Sequence, residues 1–257
     1  MSDIYYPSCW GLLSGGKDSI STCQMLDEAG KLEGCVAIRT GVAVPEWEPW
    51  VIKLCDERKW RLDIISTNEK FDDLVGKYGF PGRSKHAWFM RYLKGRAIAR
   101  FKQYRPGAIL ASGVRKYESA KRGINTKPFS VWEGVTIAAP IYHWTTQETW
   151  DYFYSRGFER APAYHTLQIS GDCLCGANAA EGEPDALRCH YPQIAEHFDA
   201  LGESIKDKHP SRCKWGWSSE SKKKVKVGPQ EAAICVECDR FDLFPETLMA
   251  PAPHGAG

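Results

Sequence analysis

Short apolar runs alternate with amphipathic stretches over the first two thirds of the chain. The first apolar run ends at a glycine pair, and residues 18–29 then carry apolar side chains at helical spacing. This order predicts a strand, a loop and a helix. Further apolar runs predict strands at 35–40, 62–66, 107–113 and 135–141. Helical spacing predicts further helices at 46–60, 86–103 and 184–201.

The alternation of strands and helices determines the predicted fold class. Strands separated by helices form a mostly parallel sheet that is covered on both faces. We therefore expect an α/β fold with a parallel sheet of about five strands. Thr145 and Glu148 have the spacing of a capping box, which places the start of another helix directly after the last strand.

The cysteines divide the chain near residue 165. Those at 9, 23, 35 and 55 lie in apolar segments, whereas five others lie among glycine and charged residues nearer the C-terminus. We expect an α/β domain at 1–165, a cysteine-rich region at 166–245 and a disordered tail at 246–257. Cys189 falls in a predicted helix, where we expect it to pack as a small apolar side chain.

Composition and charge narrow the functional classes. The 257 residues carry a formal net charge of +2, so any contact with nucleic acid must be local rather than chain-wide. No apolar run is long enough to span a membrane, and the first residues lack a signal-peptide pattern, so we expect a cytoplasmic protein without membrane contact. Ten cysteines in that compartment favour a metal or redox site over disulfides.

The stretch SGGKDS, residues 14–19, lies between the first strand and the first helix. Gly15 and Gly16 let the backbone approach an anion, and the N–H groups at the start of a helix point towards it. Lys17 adds positive charge, and Asp18 is expected to hold the turn or a Mg²⁺ ion that bridges phosphates. The alternative is a simple glycine turn with a solvated lysine.

A second segment, GVRKYESAKR at 113–122, begins where the fourth strand ends. Gly113 can turn the backbone at the carboxyl edge of the sheet and direct Arg115 and Arg122 towards a bound anion. Alone, this segment would be interpreted as an exposed helix start with ion-paired arginines.

These motifs resemble one family. SGGKDS is similar to the S-G-G-x-D-S signature of PP-loop ATP pyrophosphatases, and its lysine resembles the phosphoadenylylsulfate (PAPS) reductase branch. Residues 113–122 fit that branch's G-x-R-x-x-E-S-x-x-R pattern. PIYHWTTQETWDYF at 140–153 is similar to its Pro-Ile-x-x-Trp-Thr segment, and TGVAVPE at 40–46 to its T-G-x-x-x-P-E stretch. The resemblance covers about residues 8 to 175.

The resemblance implies an adenine nucleotide alpha hydrolase-like fold that binds ATP, PAPS or adenylylsulfate. It also implies that Mg²⁺ accompanies the nucleotide. The residues that it assigns to nucleotide binding are Ser14, Gly15, Gly16, Lys17, Asp18, Ser19, Thr40, Gly41, Gly113, Arg115, Glu118 and Ser119. Lys94 matches the family's helix lysine, but the cysteine that often precedes it in the family is absent here.

Five thiols in polar surroundings predict a metal site. Cys235 and Cys238 have the C-x-x-C spacing common to zinc and iron–sulfur centres. Cys175 resembles the family's cysteine at this point, and Cys213 completes the preferred set, with Cys173 as the competitor for Cys175. The resemblance favours a [4Fe–4S] cluster over zinc, as in adenylylsulfate reductases and DNA phosphorothioation enzymes.

Three functions remain open at this stage. In the first, ATP adenylylates an acceptor with release of pyrophosphate, Lys17, Arg115 and Arg122 stabilise charge, and Cys173 or a cluster-associated sulfur relays sulfur. The acceptor is then a nucleic acid or a small molecule, and a separate protein supplies sulfur or electrons. The second is PAPS or adenylylsulfate reduction, although Glu237-Cys238-Asp239 lacks the Gly and His of the reductases' E-C-G-x-H segment. The third is a non-catalytic nucleotide-binding subunit of a modification complex.

Overall fold

The computed structural model describes residues 7–118 and 127–217. Within these residues the strands form one six-stranded sheet of order β3-β2-β1-β4-β6-β5. The strands are β1 (Cys9–Leu12), β2 (Leu32–Arg39), β3 (Leu62–Ser66), β4 (Leu110–Ala111), β5 (Phe129–Trp132) and β6 (Val135–Ala138). All neighbours pair in parallel except β5 with β6, which pair antiparallel. The predicted α/β class is confirmed.

Of the described α-helices, five lie between successive strands from β1 to β4, and three follow β6. They are α1 (Lys17–Glu28), α2 (Trp47–Arg58), α3 (Phe71–Tyr78), α4 (His86–Met90), α5 (Arg96–Tyr104), α6 (Thr146–Ser155), α7 (Glu183–His190) and α8 (Pro192–Ile205). The capping box at the start of α6 is confirmed, because the Thr145 side chain accepts from the Glu148 N–H and the Glu148 carboxylate accepts from the Thr145 N–H.

Two predicted helices are interrupted. The helix expected at 86–103 contains a π-helical turn at Arg91–Gly95 between α4 and α5, and such turns are frequent at functional sites. The helix expected at 184–201 is broken before Pro192, which has no backbone N–H and restricts the residue before it; Tyr191 is accordingly non-helical, with φ −135°.

The strand β5 is an addition to the five expected strands. It joins β6 through a two-residue turn at Glu133 and Gly134, whose φ angles of 49° and 73° match a tight hairpin. Three of its four residues are exposed, so it lacks the apolar run that identified the other strands.

Burial agrees with most of the cysteine predictions. Cys9, Cys23, Cys35 and Cys55 are buried, as expected for small apolar side chains. The prediction for Cys189 was wrong, because this thiol is exposed on α7. One cluster of buried side chains includes both Leu13 and Trp215, so the described core continues across residue 165. The proposed domain limits stay a prediction.

The strand order places the expected ligand crevice between β1 and its neighbours. From β1 the chain proceeds outwards to β2 and β3 on one side and then returns to β4 on the other side of β1. In open α/β sheets, ligands bind outside the carboxyl ends of the strands where the direction reverses. Residues 14–19 and 113–118 both follow strands that border this reversal. None of the helices in the described ranges is long and apolar enough to cross a lipid bilayer.

Candidate functional site

Residues 14–19, here called the glycine loop, comprise the turn after β1 and the first residues of α1. Gly15 has a φ of +92°, a conformation that side chains with a Cβ rarely adopt. The Ser19 hydroxyl donates to the Gly16 carbonyl at 2.8 Å, and the Ser14 hydroxyl lies 3.2 Å from that of Ser19. The indole N–H of Trp47 donates to the Ser14 carbonyl at 2.7 Å.

The first turn of α1 faces the same loop. Within the described chain, no side chain caps this helix at Gly16. The first N–H groups of a helix have no partner inside the helix, and together with the helix dipole they favour a bound anion. The glycine loop therefore brings together a glycine at positive φ and a helix N-terminus, two features that phosphate-binding turns share.

A buried group of charges lies behind the loop. The Asp18 carboxylate is 3.1 Å from the Lys17 ammonium nitrogen and 2.5 Å from Nε of Arg115. The three side chains are each 4% exposed or less. Arg115 also donates to the Thr146 hydroxyl at 3.0 Å, and the Lys17 nitrogen lies 5.0 Å from the ring centre of Trp150. These contacts join the first and second motifs into one unit.

A cavity of about 530 Å³ opens next to this unit. As far as the described residues form it, its wall includes Asp18 but neither Lys17 nor Arg115. Lys17 and Arg115 were expected to contact phosphate directly. In the structure both side chains point towards Asp18 instead. Their catalytic roles stay a prediction.

The cavity extends from the glycine loop to a cysteine-containing segment. Polar wall residues beyond the loop are Ser112, Glu118, Lys94, Lys127, Ser130, His86, Ser170, Asp172, Asn178 and Glu183. Many of the apolar wall residues come from the sheet and from α2, α4 and α5, and they include Val36, Ile38, Ile98 and Ile137. A mostly apolar cleft of this size with a few polar groups is typical of a small-molecule site.

The second motif contributes Gly113 and Glu118 to the wall. The Glu118 carboxylate accepts from the Arg115 N–H at 3.0 Å, and Gly113 packs against the backbone of Asp18. The predicted contacts Ser119 and Arg122 lie outside the described residues.

Thr40 and Gly41, which were predicted to contact the nucleotide base, lie away from the cavity. Thr40 is buried, and its hydroxyl donates to the backbone carbonyl of Asp172 at 2.9 Å. Neither Thr40 nor Gly41 belongs to the described wall of the cavity. Thr40 therefore fixes the cysteine-containing segment in this structure, and its contact with a base stays a prediction.

Residues 169–176, here called the cysteine loop, form the far wall of the cavity. Lys94, from the π-helical turn, pairs with the Asp172 carboxylate at 2.7 Å, and the Ser170 hydroxyl donates to the same group at 2.8 Å. Cys173 and Cys175 both line the cavity. A hydrogen bond from the Cys175 thiol lowers the pKa of Cys173, and the nearby Lys94 charge also lowers it, while burial opposes the shift.

The predicted metal ligands are only partly described. Cys235 and Cys238 lie outside the described residues. Cys175 is buried beside Cys173, and the Cys213 thiol donates to the Pro210 carbonyl at 3.2 Å. Within residues 7–118 and 127–217, no three His, Cys, Asp or Glu side chains are grouped to hold a metal ion. The [4Fe–4S] cluster stays a prediction.

The Mg²⁺ prediction can be compared with the carboxylates of the cavity. Both oxygens of Asp18 are already paired with cations, and Glu118 is engaged by the Arg115 N–H. This arrangement does not resemble a dedicated Mg²⁺ site, for which carboxylate oxygens must be available. Any Mg²⁺ would therefore be held mainly by the nucleotide phosphates.

Some wall residues were not predicted. Asn178 and Glu183 are less than a tenth exposed and line the cavity, yet no motif or spacing in the sequence marks them. His86 also lines the cavity; it is one of three histidines, with His143 and His165, that lie near motif segments, and the sequence gave no reason to prefer it to the other two. These side chains reach the site through tertiary packing.

Gly15 offers a direct test of the glycine loop. Gly15→Ala is expected to weaken ATP binding by about tenfold, because a Cβ at positive φ costs roughly 1–2 kcal/mol and lies 3.0 Å from the Trp50 ring. Isothermal titration calorimetry with ATP measures the change. Gly107→Ala is the matched control, with φ +80° and nothing within 4 Å of the added Cβ. Equal ATP affinities of the two variants would contradict a role for this loop.

Comparison with known proteins adds three findings. The chain matches the phosphoadenosine phosphosulfate reductase domain family over residues 8–175. No curated protein matches it. Among solved structures, the phosphoadenylyl-sulfate (PAPS) reductase of Candida auris, a phosphate complex, is 15% identical, with a TM-score of 0.48 over 65% of this chain and 81% of that one. The FMN adenylyltransferase of Candida glabrata, with FMN and the ATP analogue AMPCPP, is 14% identical, with a TM-score of 0.43 over 60% and 49%.

Proposed function

The chain belongs to the phosphoadenosine phosphosulfate reductase domain family, and on this premise we propose that it uses ATP to transfer sulfur to an acceptor. The pyrophosphate of ATP lies against the glycine loop while an acceptor oxygen attacks the α-phosphorus and pyrophosphate leaves. Sulfur then replaces the adenylylated oxygen, and AMP is released. The acceptor is a nucleic acid or a small molecule.

One observation carries this proposal. A single cavity reaches from the glycine loop, which has two features of a phosphate-binding turn, to the thiol of Cys173. The proposed reaction activates the acceptor at the α-phosphate of ATP and then attacks it with sulfur. The glycine loop and the Cys173 thiol must therefore both reach the same substrate. The depressed pKa of Cys173 favours the thiolate, which is the nucleophilic form.

The charged residues have separate roles in this proposal. Lys127 lines the cavity and is suited to contact phosphate oxygens, whereas Lys94 lies at the far wall, where it pairs with Asp172. Lys17 and Arg115 act from behind, because they neutralise Asp18 and so prevent its charge from repelling the nucleotide. Arg122 retains its predicted role as a further cation at this site.

A second candidate is the reduction of PAPS or adenylylsulfate. The observation that favours it is the same thiol, since Cys173 in the cavity offers a nucleophile for the sulfonate sulfur. The chain lacks the E-C-G-x-H segment of the resembling reductases, so an internal cysteine would have to replace that nucleophile.

The two candidates differ in their products. We expect full-length protein prepared without oxygen to convert ATP to AMP and pyrophosphate with at least one acceptor from a panel of tRNA, DNA and small molecules. We expect Ser14→Ala to lower that rate by about tenfold, and Ser155→Ala, outside the cavity, to leave it unchanged. Sulfite release from labelled PAPS with a dithiol reductant would favour the reductase instead. ATP binding without either product would contradict both and favour a non-catalytic subunit.

The proposed sulfur source includes a metal centre formed by Cys213, Cys235 and Cys238 with Cys175. Iron and acid-labile sulfide, measured on the same preparation, decide whether a [4Fe–4S] cluster is present. A colourless protein with one zinc per chain would contradict the cluster.

A further inference from the structure

Three aromatic side chains contact one another in a row on the surface formed by α3, α4 and the π-helical turn. The ring centre of Tyr78 lies 4.3 Å from that of Trp88, which lies 4.5 Å from that of Tyr92. A cation lies at each end of the row. The Lys77 ammonium is 5.2 Å from the Tyr78 ring centre, and the Arg96 guanidinium is 4.3 Å from that of Tyr92. These five side chains are here called the aromatic ladder, and its three rings are partly exposed.

The helical segment that carries the ladder also forms a wall of the cavity. His86, Met90 and Lys94, four positions apart, line the cavity. Trp88 and Tyr92 lie two positions from these residues, and side chains two positions apart on a helix point to nearly opposite sides. A helix with its side chains is about 10–12 Å across, so a ligand on the ladder passes within about 12 Å of the cavity.

The chain around the ladder has a strong positive bias. Residues 74–117 contain eleven Lys and Arg residues and no Asp or Glu, whereas the whole chain carries a net charge of +2, so the rest of it is net negative. Lys77, Arg83 and Lys85 are exposed and form no ion pair among the described residues. The exposed Asp73, one turn before Lys77 on α3, is the nearest acidic residue in the sequence.

The two ends of the ladder differ in available charge. Arg91 pairs with Glu133 at 2.9 Å, and Arg96 pairs with Glu69, so the cations near the Tyr92 end are largely neutralised. At the other end, the Lys208 ammonium donates to a backbone carbonyl of α3 at 3.2 Å and adds a further positive charge. The charge that remains for a ligand is therefore concentrated at the α3 end.

Aromatic faces beside exposed cations match one kind of polymer. Unpaired bases stack on aromatic rings, and the phosphates between them contact Lys and Arg. In a duplex the faces of the bases are covered by their neighbours, so its contacts would be limited to the cations. A lipid surface would require apolar side chains on this face. The exposed large aliphatic side chains of the described residues are Ile52 on α2 and Val131 on β5, away from the ladder.

We propose that the aromatic ladder binds a single-stranded nucleic acid, whose bases stack on its three rings and whose phosphates contact the exposed cations at its α3 end. This proposal rests on the proposed function and narrows it, because the acceptor is then a nucleotide of the bound strand rather than a small molecule. It adds no chemical step to the proposed reaction. The strand is held outside the cavity, so its binding can be measured without ATP.

The first test compares strands and rings. Full-length protein is titrated into a labelled oligothymidylate of about 15 nucleotides, and binding is followed by fluorescence anisotropy. We expect the single strand to bind at least about tenfold more tightly than a duplex of the same length. Trp88→Ala is expected to weaken binding of the strand by about tenfold, because the loss of one stacked base costs about that factor. Tyr154→Ala, at an exposed tyrosine of α6, should leave it within about twofold.

The second test concerns the cations and uses variants at exposed positions, where folding is not at risk. In the double variant Arg83→Gln/Lys85→Gln, we expect weaker binding and a shallower dependence of log affinity on log salt concentration. The slope should fall by about 0.7 for each phosphate contact that is lost. Lys53→Gln, at an exposed lysine of α2, should leave the slope unchanged. ATP affinity, measured on every variant, reports correct folding.

The outcomes separate this surface from the proposed function. Equal binding of single strand and duplex, or an unchanged salt slope in the double variant, would overturn the proposal. So would binding to phosphatidylserine vesicles without binding to oligothymidylate. If the strand binds but no nucleic acid or small molecule supports conversion of ATP to AMP, the proposed function fails and the surface stands. If ATP is converted with a small-molecule acceptor and the strand does not bind, the surface alone fails.

Discussion

Asp18→Asn is expected to lower the free energy of unfolding by about 3–5 kcal/mol, the usual cost of removing one partner of a buried ion pair. The substitution keeps the side chain's shape, removes its charge and turns one of its two acceptor oxygens into an NH2 donor. Lys17 and Arg115 would remain buried, with their ammonium and guanidinium groups beside a neutral amide. Urea denaturation followed by circular dichroism measures the change.

Asp185→Asn is the control for this experiment. The Asp185 side chain is 88% exposed and makes a weak surface pair with Arg188 at 3.6 Å. We expect its substitution to change stability by no more than about 0.5 kcal/mol. A similarly small effect at Asp18 would show that the buried charges do not depend on its carboxylate and would contradict the arrangement described.

Gly113→Val is expected to destabilise the protein by about 3 kcal/mol or more and to abolish measurable ATP binding. A Cβ at this position would lie 2.6 Å from the Asp18 carbonyl carbon, 2.7 Å from its oxygen and 2.8 Å from the Ser19 nitrogen. All three are main-chain atoms at the start of α1. A flexible side chain could rotate away from the new group, but main-chain atoms cannot. The segment that forms the glycine loop must therefore move.

Gly76→Ala is the control, and it is expected to raise stability rather than lower it. Gly76 lies inside α3, and nothing is within 4 Å of an added Cβ. Alanine there should stabilise the helix by about 0.5–1 kcal/mol and leave ATP affinity unaltered. Both variants can be compared by chemical denaturation and by calorimetric titration with ATP. Retention of wild-type affinity by Gly113→Val would rule out the close packing of the two motifs.

Local sequence signals predicted the regular parts of this fold. The glycine pair after β1 and the capping box before α6 depend on residues a few positions apart, and both lie where the sequence indicated. β5 was missed because most of its side chains are exposed and Glu133–Gly134 is not one of the dipeptides that signal a hairpin. Pro192 marked a helix break that helical spacing alone concealed.

The orientation of the site side chains depends on contacts between residues far apart in the sequence. The spacing of residues within a motif does not indicate such contacts. The sequence indicated that Lys17 and Arg115 belong to one site, but not that a carboxylate between them would direct both away from the cavity. Thr40 likewise lies at the end of β2 as expected, but its hydroxyl donates to the backbone carbonyl of Asp172. Cysteine spacing suggested ligands, whereas the contact between Cys173 and Cys175 required the folded loop.

The pairing of Asp18 with Arg115 joins residues 97 positions apart, and this separation has a kinetic consequence. Contacts between distant parts of a chain form late, since the loop between them must first be closed. α1 can begin to form early, but its first turn acquires its final electrostatic surroundings only after β4 has inserted beside β1. A nucleotide that needs this completed turn binds the native state alone, so it would slow unfolding without accelerating the first steps of folding.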